Sequence, residues 1–262
     1  MQSTIVKTWA QTLGLLALAA VIVTGCTTTE QAPMQSKPTL FLVGDSTMAD
    51  QPADKHPEQG WGQALPEFLG SDIELENHAK NGRSTKSFVD EGRWQAVKDS
   101  LKPGDFVVIG FGHNDQKDQD ETRYAAPWSD YRDYLETMVD DVRAAGAQPM
   151  LVTSIYRRKF DAEGLPEATL GDYPEVTRAV ASERDVPLVD LNVKTRDMLM
   201  ETGVEGSADI YMQIEPGAYD TLPEGKDDNT HLQVRGAQRV AKMFVDEVKS
   251  RDLPLASYLV TP

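Results

Sequence analysis

Hydrophobic positions along this chain gather into short apolar runs, and from Thr39 onward these alternate with amphipathic stretches. The runs Thr39–Val43 (TLFLV), Ile73–His78, Asp105–Phe111 (DFVVIGF), Gln148–Ser154 (QPMLVTS) and Val186–Leu191 (VPLVDL) predict strands. Most are near-continuous, the pattern of parallel strands covered on both faces. Between Ser129 and Ala145, the residues Tyr131, Leu135, Met138, Val142 and Ala145 recur at helical spacing, and Gly146 follows as a stop signal. A last helix is predicted from Arg235 to Ser250, with Ala237, Val240, Ala241, Phe244, Val245 and Val248 on one face. Alternating β and α units imply an α/β fold in which helices cover both faces of a central parallel sheet. Sites in such folds lie at the carboxyl ends of the strands. The expected domain covers residues 39–253, with a tail over 254–262.

Composition narrows the partners. Of 262 residues, 40% are hydrophobic and 26% charged, enough apolar material for a proper core, and no repeat of 20–50 residues is visible. The formal net charge of −16 excludes nucleic acid, whose phosphates need clustered Lys and Arg; an acidic excess fits solubility in an exported protein. Lys7 precedes an apolar run from Leu13 to Val23, too short to span a bilayer at about 20 residues, and a polar stretch follows. This is the layout of a signal peptide over residues 1–25. Val23-Thr24-Gly25-Cys26 resembles a bacterial lipobox, which implies lipidation of Cys26, the single cysteine. A flexible tether over residues 26–38 would then lead from a membrane anchor to the domain. The lipid is the one expected membrane contact.

Polar residues at the strand ends carry the chemistry. Gly44-Asp45-Ser46-Thr47 follows the first strand, Asn81-Gly82-Arg83 the second and Gly112-His113-Asn114-Asp115 the third, while Asp228-Asn229-Thr230-His231 precedes the last helix. Ester cleavage through an acyl-enzyme needs a hydroxyl nucleophile, a base and donors for the oxyanion. Ser46 offers the hydroxyl. Among four histidines, His231 is the best base, because Asp228 three residues upstream is able to reach its Nδ1 from a short turn. The N–H groups of Ser46 and Gly82 and the side-chain amide of Asn114 complete an oxyanion hole. Gly82 suits that place because it lacks a Cβ.

These blocks resemble the SGNH (GDSL) hydrolase superfamily, whose namesake Ser, Gly, Asn and His match Ser46, Gly82, Asn114 and His231 in order. The resemblance implies a three-layer α/β/α sandwich, in agreement with the periodicity. Finer motifs are similar to the rhamnogalacturonan acetylesterase group: Gly60-Trp61-Gly62, NGRSTKSF from Asn81, Glu91-Gly92-Arg93-Trp94, FGHND from Phe111, and Arg157-Arg158 with Phe160. Leu232 departs from the pattern, standing where Phe is expected. The implied activity is removal of O-acetyl groups from plant cell-wall polysaccharide, with neither metal nor cofactor. A monomer is expected.

Pectic substrates carry carboxylates, so an acidic enzyme needs local cations to hold them. Arg83, Arg157 and Arg158, with Lys86 and Lys159, fall at the same sheet edge and are candidate substrate-binding residues; mutual pairing with local acids is the competing account. The acidic run Asp115–Glu121 lacks the spacing of a calcium loop and reads as a solvated loop. His113 is assigned no proton transfer. Residues 203–228 read as a long polar loop walling the cleft. Two other functions stay open: a lipase- or thioesterase-type acyl hydrolase, and a glycan-binding surface lipoprotein on the same scaffold.

Overall fold

A computed structural model describes residues 37–261. The expected signal peptide, Cys26 and most of the tether lie outside the described residues.

The strands are β1 (Thr39–Gly44), β2 (Glu74–Asn77), β3 (Phe106–Gly110), β4 (Gln148–Val152) and β5 (Leu188–Val189). They form one parallel sheet in the order β2-β1-β3-β4-β5. Helices α1 (Trp61–Ala64), α2 (Thr85–Asp90), α3 (Arg93–Ser100), α4 (Arg132–Ala144), α5 (Tyr173–Glu183), α6 (Leu191–Gly206) and α7 (Val234–Ser250) complete the layers.

Two-residue periodicity splits the central strands between two cores. Leu40, Leu42, Val108 and Val152 join Trp61 and Phe244 on one face, where the Trp61 and Phe244 rings lie 5.4 Å apart. Phe41, Val43, Val107, Ile109 and Leu151 meet Phe88, Met138, Val142 and Val176 on the other. Both faces are therefore buried, which is why the sequence shows apolar runs and not alternation. The edge strand β2 differs: Glu74 and Glu76 point to solvent and keep that edge from pairing further.

Several boundaries shift for local reasons. The fifth strand shrinks to Leu188–Val189 because the Asp190 side chain accepts from Val193 N and caps α6. Helix α4 is preceded by a π-helical turn over Pro127–Tyr131, entered through a proline that has no N–H to lose. Beyond Leu253 the chain is no free tail: Pro254–Tyr258 forms a 3-10 turn, Leu255 is fully buried, and Leu259 bridges to Leu69.

The largest departure lies within residues 203–228, which the sequence predicts as one long loop. Strand β6 (Tyr211–Ile214) pairs antiparallel with β7 (Lys226–Leu232) as a separate hairpin. The residues KDDNT carry no apolar alternation, so β7 is invisible to periodicity. The chain order β2-β1-β3 makes β1/β3 the point where connections leave in opposite directions, the place where such sheets open a crevice.

Candidate active site

Strand β1 ends at Gly44, opposite Gly110 of β3. A Cβ on Gly44 would stand 2.6 Å from Gly110 O and 3.0 Å from Met48 Sδ, so no larger residue fits. The chain then turns at once, with Met48 N and Ala49 N both donating to Asp45 O. Asp45 is buried; its Oδ1 accepts from Thr47 N at 2.9 Å and Thr47 Oγ1 at 2.8 Å, and Oδ2 faces His113 Nδ1 at 3.2 Å. Burial alone would raise the Asp45 pKa, but the charge and hydrogen bond of His113 and the Thr47 donors outweigh it, and the net shift is downward. His113 Nε2 meets Ile155 O at 3.1 Å. Both ring nitrogens of His113 thus face acceptors, and neither is placed to take a proton from Ser46.

Ser46 sits on that turn, at 8% exposure. Its Oγ lies 2.8 Å from His231 Nε2, and His231 Nδ1 lies 2.6 Å from Asp228 Oδ2. The hairpin makes this reach possible. Tyr211 pairs with Leu232 and Met212 with Asp228, so residues 229–231 have no counterpart on β6 and bulge out of the ladder. Asp228 Oδ1 fixes the bulge by accepting from Thr230 N at 2.8 Å and His231 N at 3.0 Å. The short turn expected for Asp228–His231 is therefore a bulge within a strand. Burial would raise the Asp228 pKa, but the His231 side chain, two backbone N–H donors and the His231 charge hold it well below the usual carboxylate range. The carboxylate stays charged, able to orient the ring and stabilise an imidazolium.

Three turns come together around Ser46. The Gln51 side chain donates to Ser46 O at 3.1 Å and exchanges two amide hydrogen bonds with Asn81, at 2.9 and 2.8 Å. Asn81 leads into Gly82, whose φ of 76° is left-handed and favours glycine. Asn114 Nδ2 donates to Arg83 O at 3.1 Å, tying in the third turn. No acceptor among the described residues takes the Ser46 or Gly82 N–H, so both remain available for an oxyanion, as does the second Asn114 Nδ2 proton. Gln51 carries no local sequence signal for this role, because its partner Asn81 lies 30 residues away.

With this geometry in place, likeness to known proteins becomes decisive. Residues 42–239 match the GDSL-like lipase/acylhydrolase family. The chain belongs to that family. It is 41% identical over 229 residues to a rhamnogalacturonan acetylesterase, RhgT, of Bacillus subtilis, covering 87% of this chain and 97% of the relative. A probable rhamnogalacturonan acetylesterase of the same organism, YesY, is 34% identical, covering 84% of this chain and 97% of the relative. Among solved structures, YxiM of B. subtilis superposes with a TM-score of 0.72 at 26% identity, over 83% of this chain and 58% of that one. The acetylxylan esterase Axe2 of Geobacillus stearothermophilus shares the fold, at a TM-score of 0.58 and 20% identity over 81% and 94% of the two chains.

The arginines of the expected cationic rim in this GDSL-family protein already have partners within the fold. Arg83 pairs twice with Glu91, Nε to Oε2 and Nη2 to Oε1, each at 3.0 Å. Arg157 is partly buried, and its guanidinium donates to Thr230 Oγ1 at 3.2 Å, to Thr169 O at 3.2 Å and to His113 O at 3.4 Å. Arg158 donates to Ser207 Oγ at 3.1 Å and Val204 O at 2.7 Å, while its backbone N–H bonds Asn229 O at 2.8 Å. Arg157 and Arg158 hold the bulge that carries Asp228 and His231. These donors are engaged within the protein, on the segments that flank the site. Lys86 and Lys159 are likewise held, by Glu121 O and Glu167. Beside Gly82 opens a cleft of about 730 Å³, lined by Arg83, Lys86, Glu91, Asp120 and Arg123, among others, so that both signs of charge face it.

Asp115, next to Asn114, has a pH signature of its own. It is fully buried; Oδ1 accepts from Thr85 N at 2.8 Å and Thr85 Oγ1 at 2.6 Å, while Oδ2 has no partner among the described residues. Burial pushes its pKa up to about 7, with Asp45 adding to the rise and Thr85 opposing it. A carboxyl raised from 3.8 in the unfolded chain holds a proton that the unfolded chain has lost, so stability falls as pH climbs from about 4 to about 7. Asp115→Asn keeps an acceptor for Thr85 and removes that loss. Relative to the wild type, the variant is expected to gain a few kcal/mol of unfolding free energy between pH 5 and pH 8. Denaturant titrations at both pH values check this, and parallel stability profiles would refute it.

Proposed function

We propose that the protein is a carbohydrate O-acetylesterase acting on acetylated pectic polysaccharide, with rhamnogalacturonan as the favoured backbone. The 41% identity to a rhamnogalacturonan acetylesterase over nearly its whole length carries this reading. The relay from Asp228 through His231 to Ser46, at 2.6 and 2.8 Å, supports it chemically.

In the proposed reaction, Ser46 Oγ attacks the acetyl carbonyl as His231 Nε2 takes its proton. The carbonyl oxygen, now negative, is held by Ser46 N–H, Gly82 N–H and Asn114 Nδ2. His231 returns the proton to the departing sugar hydroxyl, leaving acetyl-Ser46. A water attacks in turn, again through His231, and acetate leaves. The sugar chain flanking the ester is assigned to the cleft beside Gly82. Export as a lipoprotein anchored through Cys26 is part of the same proposal; incorporation of a labelled fatty acid that survives Cys26→Ser would refute the anchor.

Acetate release from acetylated rhamnogalacturonan, xylan and homogalacturonan, measured side by side, tests the reading. Rhamnogalacturonan is expected to be hydrolysed fastest. A preference for xylan would overturn the pectic assignment, and no release from any of the three would overturn the acetylesterase.

A further inference from the structure

The Asn114 amide has two ends, and its flip decides whether a donor or an acceptor faces the serine. Nδ2 donates to Arg83 O at 3.1 Å, and Oδ1 accepts from Lys117 Nζ at 2.9 Å. An ammonium only donates, so it fixes the oxygen on its own side. We propose that Lys117 is a positioning residue for ester hydrolysis: its ammonium locks the Asn114 amide with Nδ2 toward the oxyanion and polarises that N–H. This inference rests on the role given to Asn114 under the proposed function.

Local structure explains how Lys117 reaches its target. Lys117 N donates to Asn114 O at 3.2 Å, closing a turn that brings the side chain back over the residue that began it. The far side of the turn is held by Ala125 N and Tyr173 Oη, both donating to Asp115 O. Among the described residues no carboxylate lies within ion-pairing distance of Lys117, whereas Arg123 is paired with Asp120 and Arg157 is spent on the bulge. Burial, then Arg123 and Arg157, lower the Lys117 pKa against the opposing pull of Asp45 and Asp120. Positive charge from Lys117, Arg123 and Arg157 gathers beside Asn114, with Asp45 and Asp120 opposing it. A carbonyl oxygen drawn toward a cation makes its own amide N–H a better donor, and that gain is largest when an anion forms. A lone Lys in the acidic run 115–121 gives no sign in the sequence of this contact, which is made by a side chain on the exposed face of the turn.

The test compares Lys117→Met, Lys117→Arg and Asn114→Ala in the full chain, with nitrophenyl acetate as substrate and a boronic acid as the tetrahedral mimic on Ser46. Lys117→Met is expected to lower kcat about tenfold with KM within about twofold, to weaken boronate binding in parallel and to leave the thermal midpoint unchanged. Lys117→Arg, which also donates to Oδ1, is expected to recover most of the loss. On the Asn114→Ala background the Lys117→Met effect is expected to vanish, since the lysine acts through that amide. An unchanged kcat in Lys117→Met, equal losses in both Lys117 variants, or a full tenfold effect persisting without Asn114 would overturn the positioning role. A wild-type protein that neither hydrolyses the ester nor binds the boronate would instead overturn the esterase reading itself.

Discussion

Ser46→Ala is expected to reduce acetate release on the order of a million-fold while leaving the folded state in place. Oγ is the only heavy atom removed, and among the described residues it makes a single hydrogen bond, 2.8 Å to His231 Nε2. Its loss leaves no buried partner stranded, because His231 is only partly buried and its other nitrogen keeps Asp228. Stability should therefore change by about 1 kcal/mol or less. The turn itself is untouched, since Asp45, Thr47 and Gln51 define it through the backbone and through side chains other than Ser46. Substrate binding should persist, and a fluorophosphonate probe that labels the wild-type chain should leave the variant unlabelled. Acetate release within about tenfold of wild type would mean that another group attacks the ester.

Much of this was readable in the sequence, and for a physical reason. β1, β3 and β4 are buried on both faces, so each announces itself as an apolar run ending in Gly or a small polar residue. The blocks at their carboxyl ends then converge because parallel strands place all those ends on one edge. Residues whose role depends on distant partners were not readable. Gln51 meets Asn81 across 30 positions, and Arg157 reaches Thr230 across 73. The basic pair Arg157-Arg158 likewise does not show in the sequence that its donors meet Thr230, Thr169, Ser207 and Val204. β7 was hidden because a strand whose work is to bulge and present polar side chains has no hydrophobic period.

Asp228→Asn is the second large effect, and it separates orientation from charge. Asp228 Oδ1 accepts from two backbone N–H groups, at 2.8 and 3.0 Å, and an asparagine oxygen does the same, so the bulge should survive. The amide nitrogen must then take the place of Oδ2, 2.6 Å from His231 Nδ1. An NH₂ there is a donor, which forces Nδ1 to accept and puts the ring proton on Nε2. In that tautomer Nε2 has no lone pair for the Ser46 proton, and no carboxylate remains to stabilise an imidazolium. The expected loss is about 10⁴-fold in kcat with little change in KM. Stability supplies an independent readout. Asp228 has a folded-state pKa held below 3.8, so its ionised form stabilises the fold above that value, and the benefit is lost as pH falls. The variant should be less stable than wild type at pH 7, and the two stabilities should converge toward pH 2. A variant that keeps wild-type kcat would show that His231 needs no orienting carboxylate. One that loses activity yet shows a pH-independent stability difference would place the role of Asp228 in the bulge alone.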